Sequence, residues 1–385
     1  MVTTSRVSLS APHELLSYVP ALVGMRPIDS VVLVAFRDQS TCGAMRLDRG
    51  ALTAPESEDE AIEAALDAVT RIPRITGVIP VIYTTHTFAD AGGIPHERFA
   101  AALAPRIEKR GLEVIDMLCV AADAWGGYLD DSCRGHDLSL IADPEDLPDG
   151  SILDTDAELR LPDVDADDRE VFAKARTALA RVPVDAVEEN AGSGSADNAF
   201  PADGSEFASA MASYVADGAD VLDAELAFIA ELLDEPVLRD VLAYSWAWGP
   251  ESGTHLWNRV VAPEIFATES IDDPWMYAFA GRIEVRPDAE HLRTAITLLK
   301  RMCALQHPDD RAPGLTLISW CFWALGLSSF SAEWQREAIA TDGTYGLAII
   351  MRMILDSGTN PDWAFYDPDE LSAESSEPVA GDPTR

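Results

Sequence analysis

Residues 20–34 constrain the fold of this chain more than any other stretch, because a helical pattern stops there and a strand pattern begins. Before them, residues 10–19 offer a serine N-cap, a proline in the first turn and apolar side chains on one face, which predicts a short amphipathic helix. Gly24 can adopt the left-handed conformation that closes a helix, and Pro27 cannot continue one. The β-branched apolar run 31–36 then predicts a strand covered on both faces.

Strand and helix patterns alternate from there as far as residue 129. They predict an antiparallel return beside the first strand, then helix, strand, helix and two strands, at residues 43–47, 58–72, 77–83, 94–110, 114–120 and 125–129. Pro80 lacks a backbone N–H, which predicts that its strand lies at a sheet edge or a bulge. Helices of this length between strands favour an α/β domain, a mixed sheet covered by helices.

The chain changes character beyond residue 143. It becomes acidic with frequent prolines, and is then rich in Asn, Ala, Gly and Ser up to residue 206. Helical stripes recur after that almost to the end, which predicts an all-α second domain. We therefore expect four parts: an α/β domain (1–145), an acidic connector with one helix at 168–182 (146–206), a helical domain (207–366) and a disordered acidic tail (367–385).

The net charge disfavours two classes of partner. The chain has 28 lysines and arginines against 66 aspartates and glutamates, a formal charge of −38. Such a surface repels phosphate backbones and anionic lipids, so we expect neither nucleic acid nor a membrane as a partner. The sequence shows no secretory-signal pattern and no apolar run of membrane-spanning length, which predicts a cytoplasmic protein. Its five scattered cysteines fit reduced thiols in that compartment.

The most chemically suggestive stretch is the aromatic and acidic segment 125–137. It follows a predicted strand, where open α/β sheets place ligands, and it supplies the ligand-binding candidates Trp125, Tyr128, Asp130 and Asp131. The alternative interpretation is an aromatic strand followed by an ordinary polar surface loop.

A second group of ligand-binding candidates, Arg26, Asp29 and Ser30, lies at the mouth of the first strand. Asp29 and Ser30 are also residue types that bond nearby backbone amides in turns, which is the alternative explanation for their presence. If both groups belong to one site, Arg26 should converge with Tyr128 on a concave pocket. That hypothesis fails if these two side chains lie on opposite faces of the sheet.

Cys133 and His136 have the spacing of half a zinc site, but the sequence holds no second pair placed to complete it. They are therefore weak candidates for metal ligands, and we expect no metal or other cofactor. The G-x-S-x-G, Walker A, H-E-x-x-H and C-x-x-C patterns are also missing from the sequence. The sequence accordingly predicts no catalytic residue.

The helical half contains eight of the nine tryptophans, all between Trp246 and Trp363. They could line a groove for a partner helix, or they could fill the interior of a helical core. His255, Trp257 and Arg259 could line a pocket, since His255 and Arg259 lie one helical turn apart. The alternative is a buried or capping histidine.

The opening motif and two later segments resemble those of a known family. The positions are Pro20, Leu22, Gly24, Pro27, Ser30 and Val32, the aromatic segment 125–128, and Ala324 to Gly326, Ala332, Ala338, Asp342, Tyr345, Leu347, Ala348, Gly358, Pro361 and Trp363. They are similar to the actinobacterial domain of unknown function 4192 family, in which a helix leads through a Gly-x-x-Pro-x-x-Ser loop into the first strand. The final helical hairpin also resembles half of a tetratricopeptide unit.

This resemblance implies a fold but no activity. Members tend to carry further cysteines after the aromatic strand, where this chain has Asp130 and Asp131 and keeps only Cys133. We therefore expect a non-enzymatic protein-interaction or scaffold protein whose helical domain engages another protein or its own copy. The alternative is a small-ligand-binding protein or a hydrolytic enzyme with a site at the strand ends of the α/β domain.

Overall fold

The computed structural model describes residues 11–48, 55–130, 135–144, 146–148, 150–179, 203–216, 221–260 and 273–366. Two compact units are present. The first, here called the sheet unit, runs to Thr155 and includes Phe365 and Tyr366, and the second, the helical unit, runs from Asp156 to Ala364. Asp131, Cys133 and the predicted tail lie outside the described residues.

The sheet unit contains six described strands and four helices. In chain order they are α1 (Pro12–Leu22), β1 (Ser30–Arg37), β2 (Ser40–Asp48), α2 (Pro55–Val69), β3 (Gly77–Tyr83), α3 (Phe88–Ala91), α4 (Glu97–Lys109), β4 (Glu113–Val114), β5 (Leu118–Val120) and β6 (Trp125–Gly127). The strand order is β2-β1-β3-β5-β6, and β4 also pairs with β3. Strand β3 is parallel to β4 and β5, whereas the other pairs are antiparallel. The predicted mixed sheet is confirmed.

The transition from α1 to β1 follows from the local sequence. The carboxylate of Glu14 accepts a hydrogen bond from the backbone N–H of Ala11 at 3.1 Å and so caps the start of α1. Gly24 has a φ of 76°, the left-handed conformation expected of a helix-closing glycine. The chain then enters β1, in which residues 30–35 are all buried.

Apolar side chains cover the sheet on both faces, as the continuous apolar runs predict. On one face, β1 and β3 pack with α2 and α4 through residues such as Val31, Leu33, Leu66, Leu103 and Ile107. On the other face they pack with α1 through residues such as Leu16, Val19, Val32, Val34 and Val81. We call these the α2/α4 face and the α1 face.

The predicted edge position of Pro80 is wrong, because β3 lies in the middle of the sheet. The carbonyls of Thr76 and Val78 accept hydrogen bonds from the backbone N–H groups of Glu113 and Ile115. Alternate residues of a strand direct their backbone groups to the same neighbour, so the backbone of Pro80 also faces the edge of β3 where β4 and β5 pair. There β4 ends at Val114 and β5 begins at Leu118. The proline nitrogen therefore meets the break between two short strands, where no ladder hydrogen bond is lost. The sequence pattern had predicted one continuous strand over 114–120.

The helical unit contains α5 (Thr155–Glu158, which begins at the boundary), α6 (Ala166–Leu179), α7 (Gly204–Ala216), α8 (Asp223–Asp234), α9 (Pro236–Trp248), α10 (Pro250–Val260), α11 (Ala289–Leu305), α12 (Ala312–Ala324), α13 (Ser328–Thr341) and α14 (Gly346–Asp356). Its described part holds no strand, in agreement with the predicted all-α domain. The guanidinium of Arg176 in α6 bonds Glu231 at 2.6 Å and Asp234 at 2.8 Å in α8. None of the described helices combines the length and the apolar character needed to cross a membrane.

Most of the tryptophans fill the core rather than line a groove. Trp246, Trp320, Trp323 and Trp363 are almost wholly buried. Each of their indole N–H groups donates to a backbone carbonyl, as Trp246 does to Met211 at 2.9 Å and Trp363 does to Ala324 at 3.1 Å. A buried indole needs such an acceptor, so each of these side chains occupies a defined position in the core.

Helix α10 approaches its neighbours closely at a glycine. A Cβ atom at Gly253 would lie 2.0 Å from Oγ of Ser245 in α9 and 3.0 Å from Cβ of Ala208 in α7. Ser245 and Ala208 are both buried, so there is little room for either to move. The glycine therefore sets the distance at which the three helices pack.

We expect Gly253→Ala to destabilise the helical unit by up to about 2 kcal/mol, although alanine is the better helix former. Overpacking costs about 1–3 kcal/mol, which exceeds the helix-propensity gain of about 1 kcal/mol. Urea unfolding followed by tryptophan fluorescence reports this unit, which holds eight of the nine tryptophans. Gly346→Ala is the control, because a Cβ atom there meets nothing within 4 Å. Equal stability of the two variants would contradict the packing argument.

Candidate functional site

Arg26 lies in the exit from α1 and is exposed. Its Nη2 donates to Oδ2 of Asp143 at 2.6 Å, and this hydrogen bond raises the pKa of Arg26 and lowers that of Asp143. The segment that carries Asp143 packs through Leu138 and Ile141 on the α1 face of the sheet. Arg26 therefore belongs to that face.

Asp29 and Ser30 occupy the turn into β1. Asp29 has a φ of 39°, and its Oδ1 accepts from the backbone N–H of Thr85 at 2.9 Å and from the Thr85 hydroxyl at 3.2 Å. This carboxylate ties the start of β1 to the end of β3, a structural role of the kind that turn chemistry predicts. Ser30 is the first residue of β1 and is fully buried.

Trp125 and Tyr128 point to opposite faces, because they are an odd number of residues apart along an extended chain. Trp125 packs in the α1 face. Tyr128 packs against the α2/α4 face, and its hydroxyl donates to the carbonyl of Pro95, just before α4. The expected convergence of Arg26 with Tyr128 is therefore wrong.

The remaining predicted residues follow Tyr128. Asp130 is exposed, and its backbone N–H donates to the carbonyl of Gly127 at 3.3 Å. Asp131 and Cys133 lie outside the described residues. His136 pairs through its backbone with Trp125, and its exposed imidazole lies against the indole, with the ring centroids 4.5 Å apart and the planes tilted by 31°. Within the described ranges, no three His, Cys, Asp or Glu side chains are arranged to hold a metal ion.

A continuous row of residues crosses the sheet at one end of these strands. Ser30 pairs with Tyr83, Tyr83 with Val120, Val120 with Trp125, and Trp125 with His136. Residues directly opposite each other project from the same face of a sheet. The alternation along β1 and β3 assigns the row to the α1 face, where Tyr83, Val120 and Trp125 pack.

Three members of this row carry buried polar atoms, and we call Ser30, Tyr83 and Trp125 the polar row. Their exposed fractions are 0%, 8% and 5%. Oγ of Ser30, the hydroxyl of Tyr83 and Nε1 of Trp125 find no hydrogen-bond partner among the described residues. Burial also raises the pKa of Tyr83, so its hydroxyl stays neutral.

The polar row lies where ligands bind in many α/β proteins, beyond the carboxyl ends of the parallel strands β3 and β5. The sequence predicted Ser30 and Trp125, although in separate groups. The sequence did not predict Tyr83, because this residue ends an apolar run and resembles the core residues before it. Only the strand order and register bring the three together.

A second polar cluster lies in the helical unit. Oδ2 of the buried Asp273 accepts from Nε of Arg259 at 2.9 Å and contacts Nε2 of His255 at 2.6 Å, while Oδ1 accepts from the backbone of Trp275 at 3.0 Å. Burial alone would raise the pKa of Asp273, but the bonds from Arg259, His255 and Trp275 outweigh it and lower the pKa. Asp273 thereby fixes α10 to the 3₁₀ turn Pro274–Ala280. The N-cap of that turn is Asp273 rather than the predicted capping histidine, and His255 binds the carboxylate from within α10.

Comparison with known proteins identifies one family. The model of the family described as "Domain of unknown function (DUF4192)" matches residues 12–263 of the chain. No curated protein and no solved structure matches the chain. The matched range includes the opening motif and the polar row but ends before the final helical hairpin, whose similarity to a tetratricopeptide unit stays a prediction.

We expect Asp273→Asn to destabilise the helical unit by about 1.5–3 kcal/mol at neutral pH, the range for hydrogen bonds to charged groups. Because the native pKa is lower than the unfolded value of about 3.9, the stabilisation is complete above that value and is lost as pH falls through the native pKa. Urea midpoints measured by tryptophan fluorescence from neutral to acidic pH test this. Asp156→Asn, at an exposed pair with Arg160, should change little. A pH-independent difference would contradict the ionic explanation.

Proposed function

Because the chain belongs to the domain of unknown function 4192 family, whose description names no activity to transfer, we propose a function from its surface. The helical unit acts as a non-enzymatic protein-interaction module and docks a basic amphipathic segment of a partner protein. The docking surface is the outer face of α14. One observation carries this proposal, namely that α14 is apolar on both of its sides.

The inner side of α14 packs in the helical unit through Leu347, Ala348 and Met351, which are buried. On the outer side, Ile350 and Met353 are 52% and 65% exposed. Residues three apart on a helix are neighbours on one face, so these two side chains form a single stripe. Isolated exposed apolar residues need no explanation, whereas a stripe along one helix is typical of a docking face.

Electrostatics specify the partner. Residues 328–366, which include α13 and α14, carry five carboxylates, Glu333, Glu337, Asp342, Asp356 and Asp362, against two arginines, Arg336 and Arg352. A surface groove of about 490 Å³ beside α13 is lined by Asp309, Glu333 and Glu337, together with Arg336, which pairs with Glu333. The whole chain has a formal charge of −38. This charge steers basic partners toward the surface and opposes the approach of a second copy.

Several of the chemically suggestive residues support a role without catalysis, because their polar groups are used in structural bonds. Asp29 binds Thr85, Tyr128 binds Pro95, and Asp273 holds Arg259 and His255. Each of these bonds joins segments far apart in the sequence. Such contacts are what a folded scaffold requires of its polar side chains.

We place the protein in the cytoplasm. Cys303 and Cys321 are buried thiols without a disulfide, and burial raises the pKa of Cys303 to about 12. Reduced, buried cysteines are typical of that compartment. A basic partner is accordingly sought among cytoplasmic proteins.

We expect a photo-crosslinking amino acid at position 353 to capture a partner with a basic amphipathic segment in cells that express the chain. Titration of the purified partner then gives the affinity. Met353→Lys and Ile350→Lys should each weaken binding more than about tenfold, because they place a charge in the apolar stripe and repel a basic ligand. Added salt should weaken the wild-type complex.

Val171→Lys is the matched control, since Val171 is 51% exposed in α6 and receives the same change of charge. Binding that survives both α14 substitutions, or a partner that is acidic, would overturn the proposal. A dimer measured by light scattering that Met353→Lys dissociates would assign the stripe to self-association instead.

A further inference from the structure

We propose that α6 is a removable strap, which covers a docking site for an arginine-bearing helix of a partner protein. The site, here called the α6 seat, consists of Glu231 and Asp234 in α8 and Asp310 in the 3₁₀ turn Pro308–Asp310. It shares no residue with the stripe on α14. The α6 seat is therefore a second interaction surface of the helical unit, and it does not depend on the function proposed for α14.

Helix α6 touches the rest of the helical unit along one narrow stripe. The structure describes all 14 of its residues, and Phe172, which is 2% exposed, is the single buried one. Four others are half-buried, namely Asp168, Ala175, Arg176 and Leu179. Spacings of three, four and seven residues place these five on one face of the helix. Helical peptides that dock in a groove of another protein use the same kind of stripe.

So limited a contact allows α6 to open while the rest of the helical unit stays folded. The free energy of local opening is low where few apolar side chains are buried. Helix α8, on which α6 packs, has six buried residues, whereas α6 has one. Opening of α6 therefore uncovers the surface of α8 beneath it and leaves that helix in place.

One guanidinium supplies the polar part of the contact. In addition to its bonds to Glu231 and Asp234, Arg176 donates to Oδ2 of Asp310 at 3.2 Å. Its side chain is 22% exposed, so these charge-assisted bonds are partly shielded from water. Arg176 follows Phe172 by one helical turn, and the two side chains form an aromatic and cationic anchor on one face of α6.

The α6 seat has more negative charge than α6 neutralises. Three carboxylates meet a single guanidinium, which leaves an excess of two negative charges. Glu231 and Asp234 also lie in the last turn of α8, which contains no basic residue, so the negative end of the helix dipole adds to their charge. Burial raises the pKa of Asp234, and Arg176 does not fully offset this effect. A further cation at the α6 seat is therefore favourable.

These features define the partner. It presents a helix with an aromatic residue and an arginine one turn apart, because the planar fork of arginine can bond several carboxylates at once. The charges of α6 cancel, since three acidic residues oppose three basic ones: Asp167, Asp168 and Glu170 against Arg169, Lys174 and Arg176. A more basic helix gains an attraction that α6 lacks. This attraction offsets the advantage that α6 has from belonging to the same chain.

A labelled peptide tests the α6 seat in the full-length protein. The probe is a fluorescein-labelled synthetic peptide of residues 166–179 with Asp167→Asn and Glu170→Gln, which make it basic. We expect Arg176→Ala in the protein to tighten the binding measured by anisotropy at least about tenfold, because the weakened strap competes less with the probe. A probe that itself carries Arg176→Ala should bind this variant at least about tenfold more weakly.

Arg169→Ala in the protein is the matched control, because it removes the same charge from an exposed position of α6. It should leave the affinity for the probe at the wild-type value. Equal binding of the probe to the wild type and to Arg176→Ala, or binding to neither, would overturn the proposal. A wild-type dimer measured by light scattering that Arg176→Ala dissociates would also overturn it, since the α6 seat would then receive α6 of a second copy.

Amide hydrogen exchange of the wild type decides the question if Arg176→Ala does not fold. We expect exchange in α6 to be at least about tenfold faster than in α8, and excess probe to accelerate it further in α6 alone. Identical exchange in the two helices, or no response of α6 to the probe, would show that α6 is a permanent part of the helical unit. Either result would contradict the proposed strap, whatever binds at α14.

Discussion

The sheet unit depends on β3, which must satisfy hydrogen bonds along two edges and bury side chains on two faces. Val78 and Ile82 pack against α2 and α4, while Ile79 and Val81 pack under α1. A proline in such a strand would ordinarily break a ladder. Here the neighbouring chain is interrupted between β4 and β5 where the Pro80 nitrogen faces it, so the strand keeps both neighbours.

The helical unit meets a different requirement, which is to place large indole groups in its interior and to give their N–H groups acceptors, as it does for Trp246, Trp320, Trp323 and Trp363. Trp320 donates to the carbonyl of Phe279 and Trp363 to that of Ala324, so each buried indole also ties two distant segments together. Small residues such as Gly253 allow the helices to approach closely around them. Most of the tryptophans are thereby held in the core, whereas the apolar stripe on α14 lies on the surface.

The predicted site could be worked out from the sequence only in part. Trp125 and Tyr128 are three residues apart, so the period of two along a strand already separates them onto opposite faces. The polar row could not be predicted from the period of a single strand. Ser30, Tyr83 and Trp125 come from three strands, and their alignment depends on the order β1-β3-β5-β6 and on the register of each pair.

The sequence by itself determined the class of each half, because hydrophobic periods of 2 and 3.6 residues and the Gly24 and Pro27 signals are local properties of the chain. It also determined the acidity of the surface. Tertiary structure alone decided that Pro80 lies in a central strand, that the tryptophans are core, and that three polar atoms share one buried row. These outcomes depend on contacts between segments far apart in sequence, and such pairings follow from the packing of the whole unit rather than from any local pattern.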